Sequence, residues 1–337
     1  MSLKKAIACI RGNNNFLITS HTNLEADALG SELSFYRLLK AIGKQATIVN
    51  QDNTPPEYYF LPGINNIEKL NRKFFAEGES AKGAKKNLKD IEFDCFVTLD
   101  CSNLGRCGEV SKLNTKDKPI LNIDHHISNE RFGNINWIEP DSSSCCQMIY
   151  KLYKGLGVTL NKDIAMLLYA GILTDTGSFR HSNTSSLTHK IASELLKFNL
   201  DVVGVYKNVY ENIAFEDMRL LNKIQSTVRR DFNGKVAWFE VKQSLIKNKK
   251  ISFDLSEYIL SFARAIKDVE VAVLFKENLD QKNEVRVNFR SQGKVDVNKI
   301  AQFFGGGGHK TASGCTIKGK IDEVRRRVLV KIRESLK

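Results

Sequence analysis

Side chains that commonly bind divalent cations follow four short apolar runs in the first half of the chain. They are imidazoles and carboxylates: His21, Glu25, Asp27, Asp100, Asp124, His125, His126 and Asp175. The first three lie within seven residues after the run FLITS, and the others follow FDCFVTL, PILNI and YAGIL. Ligands of open α/β sheets collect beyond the carboxyl ends of the strands. If the four runs are strands, their spacing predicts one shared site.

The chemistry of such a site depends on which cations it holds. Carboxylate oxygens are preferred by hard divalent cations, and imidazole widens the choice from magnesium toward manganese. Two ions about 3.5–4 Å apart can share a carboxylate, activate a bound water and neutralise phosphoryl oxygens. Taken singly, each residue also has an ordinary role, such as a helix N-cap for Asp27 or a turn for Asp100. Taken together, they predict a two-metal site for phosphoryl chemistry.

A second group of polar residues lies near the end of the chain. Arg286, Asn288 and Arg290 alternate along one predicted strand, and Ser291 follows Arg290 directly. The glycines Gly305, Gly306, Gly307 and Gly308 follow and lead directly into His309 and Lys310. Consecutive glycines let backbone amides approach an anion closely, and a guanidinium suits bidentate phosphate contact. We expect a phosphate-binding loop here, although a flexible loop is the ordinary alternative. His181 and His189, outside these motifs, are interpreted as structural.

The elements that must position these residues are of two kinds. Strands at 16–20, 46–50, 93–99 and 119–123 alternate with helical patterns such as 27–42, which predicts an α/β fold with a mostly parallel sheet. Successive helices are predicted from 163 to about 230. Strands KVAWFEV, VEVAVLFK and EVRVNFRS then alternate with helices near 255–267 and 296–303. The predicted domains are a metal-binding catalytic domain at 1–190, a helical connector at 191–230 and a smaller mixed α/β substrate-binding domain at 231–337.

Composition narrows the class of protein. A chain of 337 residues exceeds the roughly 100–200 residues of a typical domain, so two domains are expected. Its formal charge of +13 favours an anionic partner. No apolar run approaches the roughly 20 residues that span a bilayer, and the first residues do not resemble an export signal. Seven cysteines without a C-x-x-C pair indicate reduced thiols. We expect a soluble, cytoplasmic protein without a membrane partner.

The order of several motifs is specific enough to suggest a family. The segments HTNLEADALGS, DCSNLGR with Asp100 and Arg106, NIDHH, GILTDTGSFRHSNT and RVNFRS through GGGGHKTASGC cover nearly the whole chain. In this order they resemble the DHH/DHHA1 phosphoesterase family. Within that family, the chain is most similar to the stand-alone bacterial nano-RNases that also act as 3′-phosphoadenosine-5′-phosphate phosphatases.

This resemblance implies a set of roles. Two manganese ions, with magnesium or cobalt as substitutes, would lie in a cleft between the domains. One ion would be held by His21 and the residue at 25, the other by Asp27, His125 and Asp175, and Asp100 would bridge them. Asp124 would orient a ligand, and His126 would face the substrate phosphate. By the same resemblance, the residues that clasp the rest of the substrate are Arg290, Gly305, Gly306, Gly307, Gly308 and His309.

One motif departs from the family pattern. The usual His-x-x-Pro-Asp-Gly-Asp is here His21-Thr-Asn-Leu24-Glu25-Ala26-Asp27. Three positions differ, and one of them is an implied ligand. Because Glu is one methylene longer than Asp, the departure bears on metal identity and on the level of activity more than on the fold.

The leading hypothesis is a hydrolase that converts short oligoribonucleotides to mononucleotides and removes the 3′-phosphate of phosphoadenosine phosphate. Its partners would be short RNA or DNA oligonucleotides or small nucleotides. A cyclic- or linear-dinucleotide phosphodiesterase uses the same metals and stays an alternative. A nucleotide- or RNA-binding protein with a decayed metal site is the alternative of another class, motivated by Glu25. A long-strand exonuclease and an inorganic pyrophosphatase are disfavoured, and a homodimer stays open.

Overall fold

The computed structural model describes residues 2–70, 91–246, 255–278, 281 and 283–336. It divides the chain into two compact units, Met1–Asn212 and Ile213–Lys337. The helices of the connector predicted at 191–230 are shared between the two units. Among the described residues, no helix is both long enough and apolar enough to cross a membrane.

The first unit is built on a six-stranded sheet. Its strands are β1 Asn15–Thr19, β2 Gln45–Asn50, β3 Ile67–Lys69, β4 Cys95–Leu99, β5 Ile120–Asp124 and β6 Ile135–Ile138. Its helices are α1 Leu3–Gly12, α2 Ala26–Ala41, α3 Cys145–Leu156, α4 Lys162–Asp175, α5 Ser186–Leu196 and α6 Val202–Tyr210. Short 3-10 segments lie at Pro56–Tyr58, Ile64–Asn66 and Leu104–Leu113. All neighbouring strands pair in parallel, in the order β3-β2-β1-β4-β5-β6.

Burial on both faces explains why the central strands read as continuous apolar runs. On one face Ile18 and Val97 pack in the cluster that includes Leu29 and Leu33 of α2. On the other face Leu17 and Phe96 belong to a smaller cluster with Val110. The large α2–α4 side therefore carries most of the core of this unit.

The second unit contains a mixed sheet of order β11-β12-β10-β9-β8-β7. Its strands are β7 Arg229–Asp231, β8 Val236–Val241, β9 Val271–Glu277, β10 Glu284–Ser291, β11 Gly307–Gly308 and β12 Ala312–Lys318. Its helices are α7 Phe215–Gln225, α8 Gln243–Ile246, α9 Ser256–Arg264, α10 Val297–Phe303 and α11 Ile321–Ser335. Strands β8 and β9 pair in parallel and the other neighbours are antiparallel. The predicted α/β fold, with a mostly parallel first sheet and a mixed second sheet, is confirmed.

The sequence analysis placed the run YAGIL both within the helices predicted from 163 and among four possible strands, and only the strand placement was wrong. Asp175 ends helix α4 and does not follow a strand. The run YAGIL lies inside α4, where Leu167, Leu168 and every residue from 169 to 173 are buried. A helix that is buried on most sides shows a continuous apolar run, which periodicity cannot distinguish from a buried strand.

Candidate metal centre

The strand order of the first sheet determines where the candidate metal centre lies. The chain runs outward from β1 to β3 on one side of the sheet and from β4 to β6 on the other, so the order reverses between β1 and β4. Open α/β sheets bind ligands at such a switch point, beyond the carboxyl ends of the strands. His21 follows β1 and Asp100 follows β4. The two side chains meet there, with His21 Nε2 3.3 Å from Asp100 Oδ2.

Asp100 lies in the middle of the centre. Its Oδ2 faces His21, while its Oδ1 is 3.4 Å from His125 Nε2. The backbone of Asp100 has a φ of 53°, in the left-handed region that Asp tolerates better than most residues. Its amide donates to Ile123 O at 3.0 Å, which ties the turn to the end of the neighbouring strand β5. Unusual backbone conformations often occur at functional sites, where the surrounding structure holds them.

The first potential ligand group consists of His21, Glu25 and Asp100, whose ligand atoms lie within 4.8 Å of one another. His21 Nδ1 lies 2.7 Å from Thr22 O. When Nδ1 donates to this carbonyl, Nε2 is directed at the carboxylates. Glu25 precedes α2 as its N-cap residue, and its Oε1 is 3.8 Å from His21 Nε2. The Glu25 side chain is 51% exposed, so it is the solvent-facing member of an otherwise buried group.

The second group consists of Asp27, His125 and Asp175, again within 4.8 Å. His125 Nε2 is 3.7 Å from Asp27 Oδ2 and 3.4 Å from Asp175 Oδ2. The other ring nitrogen, Nδ1, lies 3.2 Å from Ser142 O. A hydrogen bond to that carbonyl fixes the ring with Nε2 toward the carboxylates, as second partners commonly do for metal-binding histidines.

Asp27 is held by the first turn of α3. Its Oδ2 accepts from the amide of Cys145 at 2.6 Å, and its Oδ1 accepts from the amide of Cys146 at 2.8 Å. Helix N-termini favour a carboxylate in this way. Gly171 of α4 makes the approach possible, because a Cβ at that position would lie 2.8 Å from Asp27 Oδ1 and 2.4 Å from Cys146 Sγ. Three helices therefore meet around this carboxylate.

Asp124 and His126 form the wall of the centre next to Asp100. Asp124 Oδ1 lies 2.7 Å from His126 Nδ1, and Asp124 Oδ2 accepts from Asn129 Nδ2 at 2.6 Å. Ligand atoms of Asp100, Asp124 and His126 also lie within 4.8 Å of one another. Sequence analysis did not identify Asn129, since an amide five residues after Asp124 gives no signal of its own.

The pKa values reflect crowding of charge. Burial alone would raise the pKa of Asp100, but the His125 and His21 imidazoles outweigh it and hold that pKa well below its usual range. Burial raises the pKa of Asp27 to about 6 and that of Asp175 well above its usual range. Burial lowers the pKa of His125, yet the carboxylates of Asp175 and Asp100 raise it well above normal. The raised pKa values of Asp27, Asp175 and His125 indicate that negative charge exceeds positive charge in this centre.

Buried polar atoms without hydrogen-bond partners show whether the residues of the centre could bind metal ions. His21 Nε2, both carboxylate oxygens of Asp100 and Asp175 Oδ2 are buried and make no hydrogen bond among the described residues. Buried polar atoms are nearly always paired, and an unpaired one costs about 1–3 kcal/mol. Carboxylate oxygens and imidazole nitrogens at these separations are the donors that divalent cations take. The residues fit metal ions.

The predicted substrate residues in the second unit, which we call the anion-binding set, are Arg290, Gly305–Gly308 and His309. The glycines are more ordered than a flexible loop. Gly307 and Gly308 form β11, which pairs with Gly314 and Ser313 of β12. Gly308 has a φ of 140°, and a Cβ there would lie 2.6 Å from Ala312 O. A side chain at that position is excluded both by the backbone conformation and by the neighbouring strand.

The amides of this loop are partly used within the protein. Gly305 N donates to Gln302 O at 2.9 Å and Gly306 N donates to Ala301 O at 2.8 Å, which closes the end of α10. His309 N donates to Ala312 O at 2.7 Å. The loop therefore cannot bind an anion with all of its amides. Side chains must supply more of any anion contact than the glycine pattern suggested.

Arg290 already has a carboxylate partner. Its Nε and Nη2 donate to Glu257 Oε2 of α9 at 3.0 and 2.6 Å, and its Nη1 donates to Phe289 O at 2.9 Å. Sequence analysis did not identify Glu257, because it lies 33 residues earlier on a different element. The guanidinium is thus oriented before any substrate arrives. Away from both sites, His189 stacks on Phe179 with ring centroids 5.2 Å apart.

An open parallel sheet with carboxylates and imidazoles converging at its switch point defines a class of metal-dependent hydrolases of phosphate esters. The chain belongs to the DHH family. Residues 15–172 match the DHH family N-terminal domain, and residues 234–336 match the DHHA1 domain. The recognition made from the sequence is confirmed, and the chain is a phosphoesterase of this family.

Similar proteins extend over nearly the full chain. A bifunctional oligoribonuclease and PAP phosphatase NrnA from Thermus thermophilus is 31% identical over 95% of this chain and 89% of the relative. The protein of the same description from Bacillus subtilis is 28% identical over 90% of each chain. The crystal structure of an exopolyphosphatase-related protein from Bacteroides fragilis superposes with a TM-score of 0.83 and 25% identity, covering 98% of this chain and 95% of that one.

Proposed function

We propose that this protein is a two-metal, manganese-dependent phosphoesterase that hydrolyses short oligoribonucleotides to mononucleotides and 3′-phosphoadenosine-5′-phosphate to AMP. One observation carries the proposal. Asp100 belongs to the first ligand group and also contacts the second: its Oδ2 lies 3.3 Å from His21 Nε2, and its Oδ1 lies 3.4 Å from His125 Nε2. A carboxylate placed between two groups of ligands is suited to bridging two cations.

The ligands divide between the two ions. We assign His21 and Glu25 to one ion, Asp27, His125 and Asp175 to the other, and Asp100 to both. Bound there, the ions would lower the pKa of a water and neutralise charge on the phosphoryl oxygens. The alternation of acids and imidazoles at 3.3–3.8 Å supports this division. The mixed oxygen and nitrogen donors favour manganese over magnesium.

The remaining residues orient the reacting groups. Asp124, fixed by Asn129, accepts from His126 Nδ1 and so sets the plane of the His126 ring. Nε2 lies on the opposite side of that ring, and we assign it to an oxygen of the substrate phosphate. Asp124 stays ionised in this role, because the His126 imidazole offsets burial and lowers the pKa of Asp124 to about 2. Asp124 thus positions a substrate contact and need not touch the substrate itself.

The substrate class follows from the anion-binding set and from the relatives. Arg290 and His309 supply cationic or donor side chains next to the glycine hairpin, and the chain carries a formal charge of +13. The relatives described above act on oligoribonucleotides and PAP according to their names. Both substrates present a phosphate ester with a second phosphate nearby. We expect a preference for about two to five nucleotides, the scale of short single-strand sites.

A substrate panel tests the proposal. The purified protein is given Mn²⁺ and, in parallel reactions, oligoribonucleotides of two to five residues, a long structured RNA, a cyclic dinucleotide or 3′-phosphoadenosine-5′-phosphate. Mononucleotides should appear fastest from the short oligomers, and AMP should appear from phosphoadenosine phosphate. The Asp100→Asn protein is the control for contaminating nucleases. Tight binding without turnover in every reaction would contradict the proposed activity and favour a binding protein.

A further inference from the structure

Arg106 lies where the loops that carry His21 and Asp100 meet. It belongs to the 3-10 segment Leu104–Leu113, which begins four residues after Asp100. The amide of Thr22, next to His21, donates to Arg106 O at 2.8 Å. The amide of Arg106 in turn donates to Asn103 Oδ1 at 3.1 Å. Both backbone groups of Arg106 are thus fixed, so the arginine is held in a defined place beside the metal centre.

The side chain of Arg106 is the unusual part. It is half-buried, yet its guanidinium makes no hydrogen bond or ion pair with any other residue that the structure describes. Two other half-buried arginines have carboxylate partners: Arg37 pairs with Asp163 at 3.0 Å, and Arg290 pairs with Glu257. Holding an arginine partly out of water without an anion is costly.

The Arg106 guanidinium is close enough to His21 to affect it electrostatically. Burial and, after it, the positive charge of Arg106 lower the pKa of His21, but the carboxylates of Asp100 and Glu25 outweigh both and raise that pKa overall. A cation does not ligate a metal ion, so Arg106 cannot belong to the ligand groups. A guanidinium matches the oxygens of a phosphate in a bidentate geometry. An incoming phosphate would give this charge the partner that it lacks.

We propose that Arg106 contacts the substrate directly, binding a phosphate oxygen beside the ion that His21 helps to hold. The inference rests on the proposed function for the identity of the substrate. It adds a substrate contact within the first unit, separate from Arg290 and His309 of the second.

Kinetics on Arg106→Ala and Arg106→Lys test the inference, with a diribonucleotide as substrate and Mn²⁺ present. Arg37→Ala is the matched control, since Arg37 is a half-buried arginine of the same unit that pairs with a carboxylate away from the ligand groups. Losing a hydrogen bond to a charged group should raise KM about 10- to 100-fold in Arg106→Ala. Arg106→Lys should recover part of the loss, and added guanidinium ion should partly rescue Arg106→Ala. Mn²⁺ stoichiometry should stay unchanged in all three variants.

A purely structural or electrostatic role gives a different pattern. In that case Arg106→Ala would shift the Mn²⁺ dependence or the melting temperature, while KM would stay within about twofold of wild type and guanidinium would not rescue it. That pattern would overturn the inference. If Arg106→Ala does not fold, the same criteria apply to Arg106→Lys.

AMP binding in the presence of Mn²⁺, measured by calorimetry, separates the inference from the proposed function. AMP is the expected product and requires no turnover. If wild type hydrolyses nothing in the panel but binds AMP more tightly than Arg106→Ala, the proposed function fails and the phosphate contact stands. If wild type turns over the panel while AMP affinity and KM are the same in both proteins, the phosphate contact fails and the function stands.

Discussion

The metal centre of the first unit and the anion-binding set of the second differ in how their polar atoms are satisfied. In the metal centre, His21 Nε2, both oxygens of Asp100 and Asp175 Oδ2 are buried without a hydrogen bond among the described residues. In the anion-binding set, Arg290 is bonded to Glu257, and the amides of Gly305 and Gly306 are bonded to α10. A centre with unsatisfied acceptors is organised around a ligand that completes it. A set with internal partners must exchange or share them when a ligand binds.

This contrast has an energetic meaning. Unsatisfied buried atoms lower the folding stability, and cations that bind them remove this penalty. Metal binding should therefore also stabilise the fold of the first unit. Without substrate, the charge of Arg290 is already compensated by Glu257, so its burial carries little cost. Its gain on binding a phosphate is the difference between two ion pairs, which is smaller than a full charge-assisted contact. Mutations in the two regions should therefore differ in both kind and size.

The largest effect is expected for Asp100→Asn. An amide cannot supply negative charge to two ions, and the several kcal/mol of charge stabilisation that metals contribute correspond to a loss of about a thousandfold or more in kcat/KM. Bound Mn²⁺ should also fall below that of wild type. Steady-state kinetics with metal analysis of the same preparation measure both quantities. Near-normal turnover would remove Asp100 from the centre.

Glu25 tests the exposed edge of the same centre. If Glu25 ligates the first ion, Glu25→Ala leaves that ion only His21 and the shared Asp100, too few for a cation that takes about six donors. We expect the loss of one metal and a decrease in kcat of about a hundredfold. Glu25→Asp should retain part of the activity with a shifted Mn²⁺ dependence. Unchanged metal content and rate in Glu25→Ala would mean that water, and not this carboxylate, completes the shell.

Arg290→Ala tests the other side of the comparison. Because Arg290 exchanges Glu257 for the substrate, its loss should raise KM by only about tenfold, the lower end of the range for a charged hydrogen bond, while the metal content stays at the wild-type value. Lys276→Ala, a change of another cation in the same unit, serves as the control. A drop in bound Mn²⁺ in Arg290→Ala would break the division of labour between the two regions.

Glu257→Gln should give the smallest effect. The side chain of Glu257 is 42% exposed, so its ion pair with Arg290 is partly screened by water. Removing the charge frees Arg290 from its partner but also loosens its orientation, and these two effects oppose each other. We expect a change in KM of less than about tenfold, measured with the same diribonucleotide. A loss as large as that of Arg290→Ala would show that orientation by Glu257 is decisive.

Much of the candidate metal centre could be predicted from the sequence because its residues follow elements with strong local signals. The apolar runs of β1, β4 and β5 are continuous because both faces of the sheet are buried, and His21, Asp100 and the Asp124 triplet come at their ends. Helix α11, which is absent from the predicted elements, also has a signal in the sequence. Its buried residues, Ile321, Val324, Val328 and Ile332, recur at helical spacing.

Other features depend on contacts that are distant in sequence. Asp175 lies within the helices predicted from 163, but only packing shows that its carboxylate reaches His125. Glu257 and Arg290 are neighbours only because α9 packs beside β10. The amide bonds that hold Gly305 and Gly306 arise from the end of α10. No local pattern encodes such pairings, which tertiary packing decides.

The most direct test of this account is an anomalous-scattering map, collected near the manganese edge, from crystals grown with Mn²⁺. Two ions bridged by Asp100 should give two peaks per chain, about 3.5–4 Å apart. The expected ligands of the first are His21, Glu25 and Asp100, and those of the second are Asp27, His125, Asp175 and Asp100. A single peak, or two peaks that do not share Asp100, would contradict it.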